Sequence, residues 1–274
     1  MNELQVKILE IYKGVKKVCE ENDIRYFAIG GTCIGAIRHH GFIPWDDDLD
    51  IAMPRKDYEK FKKIAITCLE KDLQVLDEKF AFHNENVFIK VHDINTALLH
   101  KELIQFQDRY SGVYIDIMPL DGLPNNKIIR KVHLKTLITL MRLNRVQKEL
   151  NDSNLNNKRI IYSFIKLFPK NIFLNIYLKL VKLYSFDSDR NKLSSFAWSF
   201  RGDKLLLNKE DFSRSIDFEF EDTIMPCPIG YDRYLKNHFG DYMIIPEKEN
   251  QVQHNNAIID FSKSYKEYIK ENNQ

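Results

Sequence analysis

The stretch GFIPWDDDLDIAMP, Gly41 to Pro54, sets four aspartates within five positions: Asp46, Asp47, Asp48 and Asp50. Like charges this close repel and raise one another's pKa, so the cluster calls for a positive partner. Along a strand alternate side chains share a face, which pairs Asp48 with Asp50 and sends Leu49 and Ile51 into the core. Two carboxylates side by side suit a hard dication, magnesium or manganese, which takes one or two carboxylates plus phosphate oxygens of a substrate. Asp46 and Asp47 read as a solvated turn at the strand start. Asp116, in VYIDIMPLDG, is a third charge inside an apolar strand, where burial without a partner would cost several kcal/mol or protonate it. If its strand lies beside the first, three carboxylates converge. Such a triad can hold metals that clamp the attacking and leaving oxygens of a displacement at phosphorus.

Upstream, IGGTCIGAIRH opens a helix at the pair Gly30 and Gly31, where backbone amides offer a phosphate site. Arg38 and Lys90 are the candidate cations for donor charge, because phosphoryl transfer is mainly positioning and electrostatics. Each reads equally well as a surface or ion-pair residue. His39, His40 and His254 carry no chemical assignment from residue type alone.

The elements that must position these groups follow from periodicity. Leu4, Ile8, Ile11, Val15 and Val18 mark one helix with a buried stripe. DIRYFAIGG, DDLDIAMP, NVFIKVHD and VYIDIM read as strands, and RKDYEKFKKIAITCLEK as a helix after Pro54. Alternating helix and strand up to Leu123 predicts an α/β or α+β catalytic core. Between Asn125 and Leu183, thirteen Lys and Arg face two acids, Glu149 and Asp152, on helical periodicity. Apolar stripes run from Ile160 to Phe168 and, after Pro169, from Ile172 to Tyr184. This stretch reads as a helical insertion. FEFEDTIMPCPIGYDRYLKNHFGDYM predicts a strand pair and a short helix, and SKSYKEYIKENN a solvated helix.

The 274 residues carry a formal charge of only +2, which gives no argument for nucleic acid as a partner. Four cysteines lie far apart and suggest neither a zinc site nor a disulfide framework. The first residues are amphipathic and include acids, unlike a basic, apolar signal peptide. No apolar run reaches the roughly 18 residues of a span. The sequence therefore predicts a cytoplasmic protein. Its basic helices read either as a packed subdomain with solvated cations, or as a surface lying peripherally on the anionic inner face of the plasma membrane or on a polyanionic glycan. Lys166, Lys170, Lys179 and Lys182 would carry that contact.

The order Gly-Gly, Asp-x-Asp and a later strand carboxylate is similar to the nucleotidyltransferase fold of DNA polymerase β and its relatives. The longer string GGTCIGAIRHHGFIPWDDDLDIAMPRKDYEKF closely resembles the LicD family, whose members transfer phosphocholine or related phospho-alcohols onto surface glycans. The resemblance continues through FIKVHDINT, VYIDIMPLDG and YDRYLKNHFGDYMIIP followed by His254. It implies an α+β fold with a mixed sheet flanked by helices: a catalytic core over 1–124, a basic helical insertion over 125–192, and a part completing the catalytic domain over 193–274. It makes Asp48 and Asp50 metal ligands and Asp116 the third catalytic acid, all three binding magnesium or manganese. Gly30, Gly31, Thr32, Arg38, His39, Trp45, Lys90 and His254 become the substrate side. A CDP-alcohol, CDP-choline foremost, is the implied donor. A lipid-linked glycan such as teichoic acid, lipopolysaccharide or capsule is the implied acceptor.

The carboxylates alone fit two reactions: attack on the alcohol's phosphorus with release of CMP, or nucleotidyl transfer with release of pyrophosphate. Intact Asp48, Asp50 and Asp116 argue against a non-catalytic binding module. A choline head group favours aromatic rings, and Trp45, Tyr114, Trp198 and Tyr242 are available for such a cage or for the core.

Overall fold

The computed structural model describes residues 1–77, 87–101, 104, 107, 110–152, 165, 167–169, 171–195, 206–251 and 256–272. Helix α1 (Glu3–Glu21) opens on a capping box, with the Asn2 side chain accepting from the Gln5 amide and Gln5 answering back. It buries the stripe that its periodicity predicts, Leu4, Ile8, Ile11, Val15 and Val18. The chain then forms β1 (Phe27–Ala28), α2 (Gly30–His39) and β2 (Asp50–Pro54). Pro54 ends that strand and its neighbour Arg55 begins α3 (Arg55–Cys68).

Strands β3 (Leu73–Leu76), β4 (Ile89–Asp93), β5 (Ala97–His100) and β6 (Tyr114–Leu123) follow. The main sheet has the order β1-β2-β6-β4-β3, with β2 and β6 parallel and the other pairs antiparallel. A mixed sheet with helices packed against it makes the fold α+β, as the sequence predicts. The far half of β6 also pairs with β7 (Lys192–Ser194), which pairs with β8 (Leu207–Asn208). Strands β3, β5, β7 and β8 have no counterpart among the predicted ones. They are two to four residues long, too short for an alternating pattern to emerge.

Helices α4 (Lys127–Asp152) and α5 (Ile172–Val181) fall within the predicted insertion. They close a second core, in which Leu137, Leu140, Met141, Phe173, Tyr177 and Val181 gather around Leu123 at the end of β6. Lys182, exposed on α5's C-terminal side, is paired with Glu59 of α3 at 2.6 Å. Lys166, Lys170 and most of the first apolar stripe lie outside the described residues.

The hairpin of β9 (Ser215–Phe220) and β10 (Thr223–Pro228) leads into α6 (Tyr231–Phe239), matching the predicted strand pair and helix. Strand β11 (Ala257–Asp260) pairs with β5 as a separate ribbon. The final helix α7 (Tyr265–Asn272) is not simply solvated: Tyr265, Tyr268 and Ile269 pack on Ala97, Leu99 and Tyr110. Its aromatic side is covered because β5 leaves an apolar face there.

One buried ion pair fixes α3 to the sheet. Arg55 grips Asp121 of β6 with both ends of its guanidinium, Nε to Oδ1 at 2.8 Å and Nη2 to Oδ2 at 2.6 Å. Asp121 is fully buried, and a bidentate fork satisfies both carboxylate oxygens in fixed geometry. Breaking such a pair strands a buried charge. Asp121→Asn should therefore cost about 3–5 kcal/mol of unfolding free energy in urea. The double change Arg55→Met, Asp121→Leu should recover most of that loss. Equal stability of Asp121→Asn and the unaltered protein would refute this assignment.

Candidate functional site

The parallel pairing of β2 with β6 sets Asp50 opposite Asp116, and antiparallel β4 sets Lys90 opposite Asp116 from the other side. Partners in register on neighbouring strands share a face. Asp50, Asp116 and Lys90 thus form a row across three strands, with the Lys90 ammonium paired to Asp116 Oδ1. Lys90 is buried, and its ammonium lies 3.6 Å from the centroid of the Tyr114 ring and 5.3 Å from that of Phe88. Tyr114 Oη in turn sits 3.1 Å from His100 Nε2 at the end of β5.

Asp48 lies on the connection before the strand, because β2 itself begins at Asp50. The Asp116 amide still donates to the Leu49 carbonyl at 3.0 Å, and Leu49 and Ile51 are fully buried as alternation predicts. Asp46 and Asp47 depart from the expectation of a solvated turn, being 7 % and 6 % exposed. For Asp46 the room comes from Gly31: a Cβ there would stand 2.6 Å from Asp46 Oδ2, so the bare glycine accommodates that carboxylate. Asp46 rests where a negative charge is favoured, at the start of α2.

The residues predicted to surround the donor phosphates thus have further partners. Gly30 takes a left-handed φ of 56°, and its amide donates to Tyr234 Oη of α6 at 3.0 Å. Thr32 Oγ1 accepts from the Asp50 amide at 2.8 Å, tying the helix start to the acid strand. The Arg38 guanidinium donates to the carbonyls of Tyr242 and Ile244 and lies beside His39, Nε to Nε2 at 2.9 Å. The His39 ring meets Trp45 edge to face at 6.2 Å, and Trp45 packs against the main core. His254 and Trp198 lie outside the described residues.

Burial and crowding set the protonation of the cluster. Asp50 is pushed well above the usual carboxylate range, first by burial and then by Asp48, Asp116 and Asp46, with Lys90 opposing. Burial raises Asp116 too, and Lys90 pulls it back. Burial, helped by Asp47, lifts Asp46 to about 6 against a hydrogen bond shared with Asp48. Two carboxyl groups share a hydrogen bond only when a proton lies between them. Burial, then the Lys90 charge, lowers His100 to about 4, so this imidazole is neutral at pH 7. Burial and then the nearby acids, Asp116 first, hold the Tyr114 hydroxyl in its neutral form.

Among the described residues, no three Asp, Glu, His or Cys side chains form a closed ligand set for a metal ion. Lys90 stands at Asp116 where the sequence predicts convergence of three acids. The donor chemistry nevertheless fits magnesium or manganese, which need only one or two carboxylates and take the rest from water and phosphate. Asp48, Asp50 and Asp116 are each partly open to solvent. Their charge exceeds what Lys90 supplies.

Sequence reasoning missed three contributors. Tyr234 lies in YDRYLKNHFGDYM, where its spacing gives no sign that it reaches Gly30. His100 closes a four-residue strand with no pattern. The buried place of Asp46 is visible only once Gly31 and Asp46 are seen side by side.

The nucleotidyltransferase domain of the family described as LicD/FKTN/FKRP matches residues 23–140. That span includes α2, the acid strand, Lys90 and Asp116. The chain is 30 % identical over 265 residues to the lipopolysaccharide cholinephosphotransferase LicD of Haemophilus influenzae, covering 93 % of this chain and 95 % of that one. Uncharacterised proteins of Rickettsia typhi and Rickettsia prowazekii are each 26 % identical, over 45 % and 44 % of this chain and 37 % and 41 % of their own. With a match running nearly end to end and the acid row inside the matched domain, the chain belongs to the LicD family.

Proposed function

We propose that this protein is a transferase that moves phosphocholine, or a closely related phospho-alcohol, from a CDP-alcohol onto a hydroxyl of a cell-surface glycan. The observation that carries this reading is the row Asp50, Asp116 and Lys90, reinforced by Asp48, within a chain similar throughout its length to a lipopolysaccharide cholinephosphotransferase. Asp48 and Asp50, with Asp116, would hold magnesium or manganese. When bound, that ion supplies positive charge for the donor's phosphate oxygens.

The chain's own residues do the rest. Asp116 accepts the proton of the acceptor hydroxyl as its oxygen bonds to the alcohol-bearing phosphorus. The bond from that phosphorus to the CMP oxygen breaks, and CMP leaves with its electron pair. Lys90 opposes the burial that raises the Asp116 carboxyl, favouring its charged form. Thr32, through its bond to the Asp50 amide, fixes the acid strand against α2. A lipid-linked glycan fits as the acceptor.

Purified protein given CDP-choline, lipopolysaccharide and magnesium should release CMP and label the glycan with choline. Pyrophosphate release from a nucleoside triphosphate, with no CMP from any CDP-alcohol, would overturn the reading. Asp50→Asn should lower turnover at least about a hundredfold. Its metal-free melting temperature should stay equal or rise, since like-charge repulsion is relieved. Activity within tenfold of the unaltered protein, or activity that survives EDTA, would contradict it.

Lys90→Met gives a second test, because Lys90 supplies the positive charge at Asp116 in the absence of metal. The variant should melt lower than the unaltered protein in EDTA. Magnesium should then raise its melting temperature by more than it raises that of the unaltered protein. Equal increments in differential scanning fluorimetry would remove Lys90 from the metal's electrostatic surroundings.

A further inference from the structure

Helix α4 begins with its charges the wrong way round. The N-terminal end of a helix is its positive pole and favours acids, yet the first turn of α4 contains none. Lys127, Lys131 and Lys135 instead recur every four residues and are all exposed. That spacing aligns them along one stripe. Beside it, one position on, run Ile128 and Val132, 76 % and 60 % exposed, with Ile129 at 53 % on the flank. The other side of the same helix buries Leu137, Leu140 and Met141 in the second core. The exposed stripe therefore faces away from the protein. Its backbone is firmly set, as Asn126 Oδ1 accepts from the amides of Ile128 and Ile129 at 2.9 and 3.1 Å. Arg130 is turned back onto the carbonyls of Pro124 and Asn125.

We infer that this face of α4 docks on an anionic lipid surface, with Ile128, Ile129 and Val132 entering the acyl boundary and the three lysines meeting the headgroups. Charge complementarity and the interleaving of cations with branched apolar side chains are what such a surface requires. Among the described residues no helix is long and apolar enough to cross a membrane, so the contact is peripheral. A second copy of the chain fits poorly. A two-fold pairing would set lysines against lysines, and three apolar side chains fall well short of the roughly 800 Å² per partner of a stable interface. A soluble polyanion would use the lysines and leave Ile128 and Val132 without a role.

The patch lies beyond the Leu123 end of β6, seven residues along the strand from Asp116, or roughly 23 Å. It is distinct from the acid row, and the inference stands independently of the proposed reaction.

The test is co-sedimentation of the full chain with vesicles of phosphatidylcholine alone and with rising phosphatidylglycerol, at low and physiological salt. Binding should rise with phosphatidylglycerol and weaken with salt. Changing Lys127, Lys131 and Lys135 together to Gln should reduce it on the order of a hundredfold at low salt, about fivefold for each lysine. Ile128→Ser with Val132→Ser should weaken vesicle binding while leaving retention on heparin unchanged. Vesicle binding that is absent, indifferent to phosphatidylglycerol, or unaffected by the Ile128 and Val132 changes would overturn the proposal; the last outcome would indicate a soluble polyanion. A dimer in sedimentation velocity that dissociates on the same changes would also overturn it, in favour of a second copy.

Discussion

The acid strand keeps four carboxyl groups within a short stretch of chain and balances them with too little positive charge. Asp50 feels Asp48, Asp116 and Asp46 at once, and Lys90 is the cation that opposes them. In a partly buried setting such repulsion is strong, because little water screens it. Much of the surrounding structure serves to hold the groups together regardless. Thr32 binds the Asp50 amide, the Leu49 carbonyl holds the Asp116 amide, and Gly31 gives up a side chain so that Asp46 can close in. Groups left free to move would separate. Fixed in this way, they form a site whose electrostatics an added dication and a charged donor can complete.

The rest of the fold can be understood as bracing for that row. Strand β6 is its axis: its first half carries Asp116 between β2 and β4, and its second half carries Asp121, gripped by Arg55. Through Leu123, its last residue, the same strand seats α4 and α5 on a separate core. From the C-terminal part, Tyr234 reaches Gly30 at the start of α2, and the carbonyls of Tyr242 and Ile244 hold Arg38 near its end. Residues more than 190 positions apart in the chain thus steady one ten-residue helix beside the acids.

Asp50 and Asp116 were legible in the sequence because a charge between buried aliphatic neighbours has few structural explanations. The helix stripes and the longer strands were legible for a related reason, since each repeats its pattern over several turns or pleats. Lys90 could be picked out as a cation but not as the partner of Asp116. That pairing depends on the register of β4 against β6, and no local pattern encodes register between strands separated by a long connection. The burial of Asp46 depends on the absence of an atom at Gly31, and the covering of α7 on the apolar face of a four-residue strand. Such features arise from tertiary contact, which is why the sequence alone predicts a solvated Asp46 and an exposed α7.

The central claim is that the acid cluster is incomplete without an added cation, and the pH dependence of stability tests it most directly. Asp46 has a folded pKa of about 6 against an ordinary 3.8, and burial and the neighbouring acids raise Asp50 in the same direction. A raised carboxyl group contributes stability that is fully present below pH 3.8 and is lost as the pH rises through the folded value. In EDTA the melting temperature should therefore carry a falling component from about pH 4 through about pH 6. Magnesium should restore little at pH 4.5, where protons already neutralise the cluster, and markedly more at pH 7.5. A magnesium increment of the same size at both pH values, or none at either, would contradict the account.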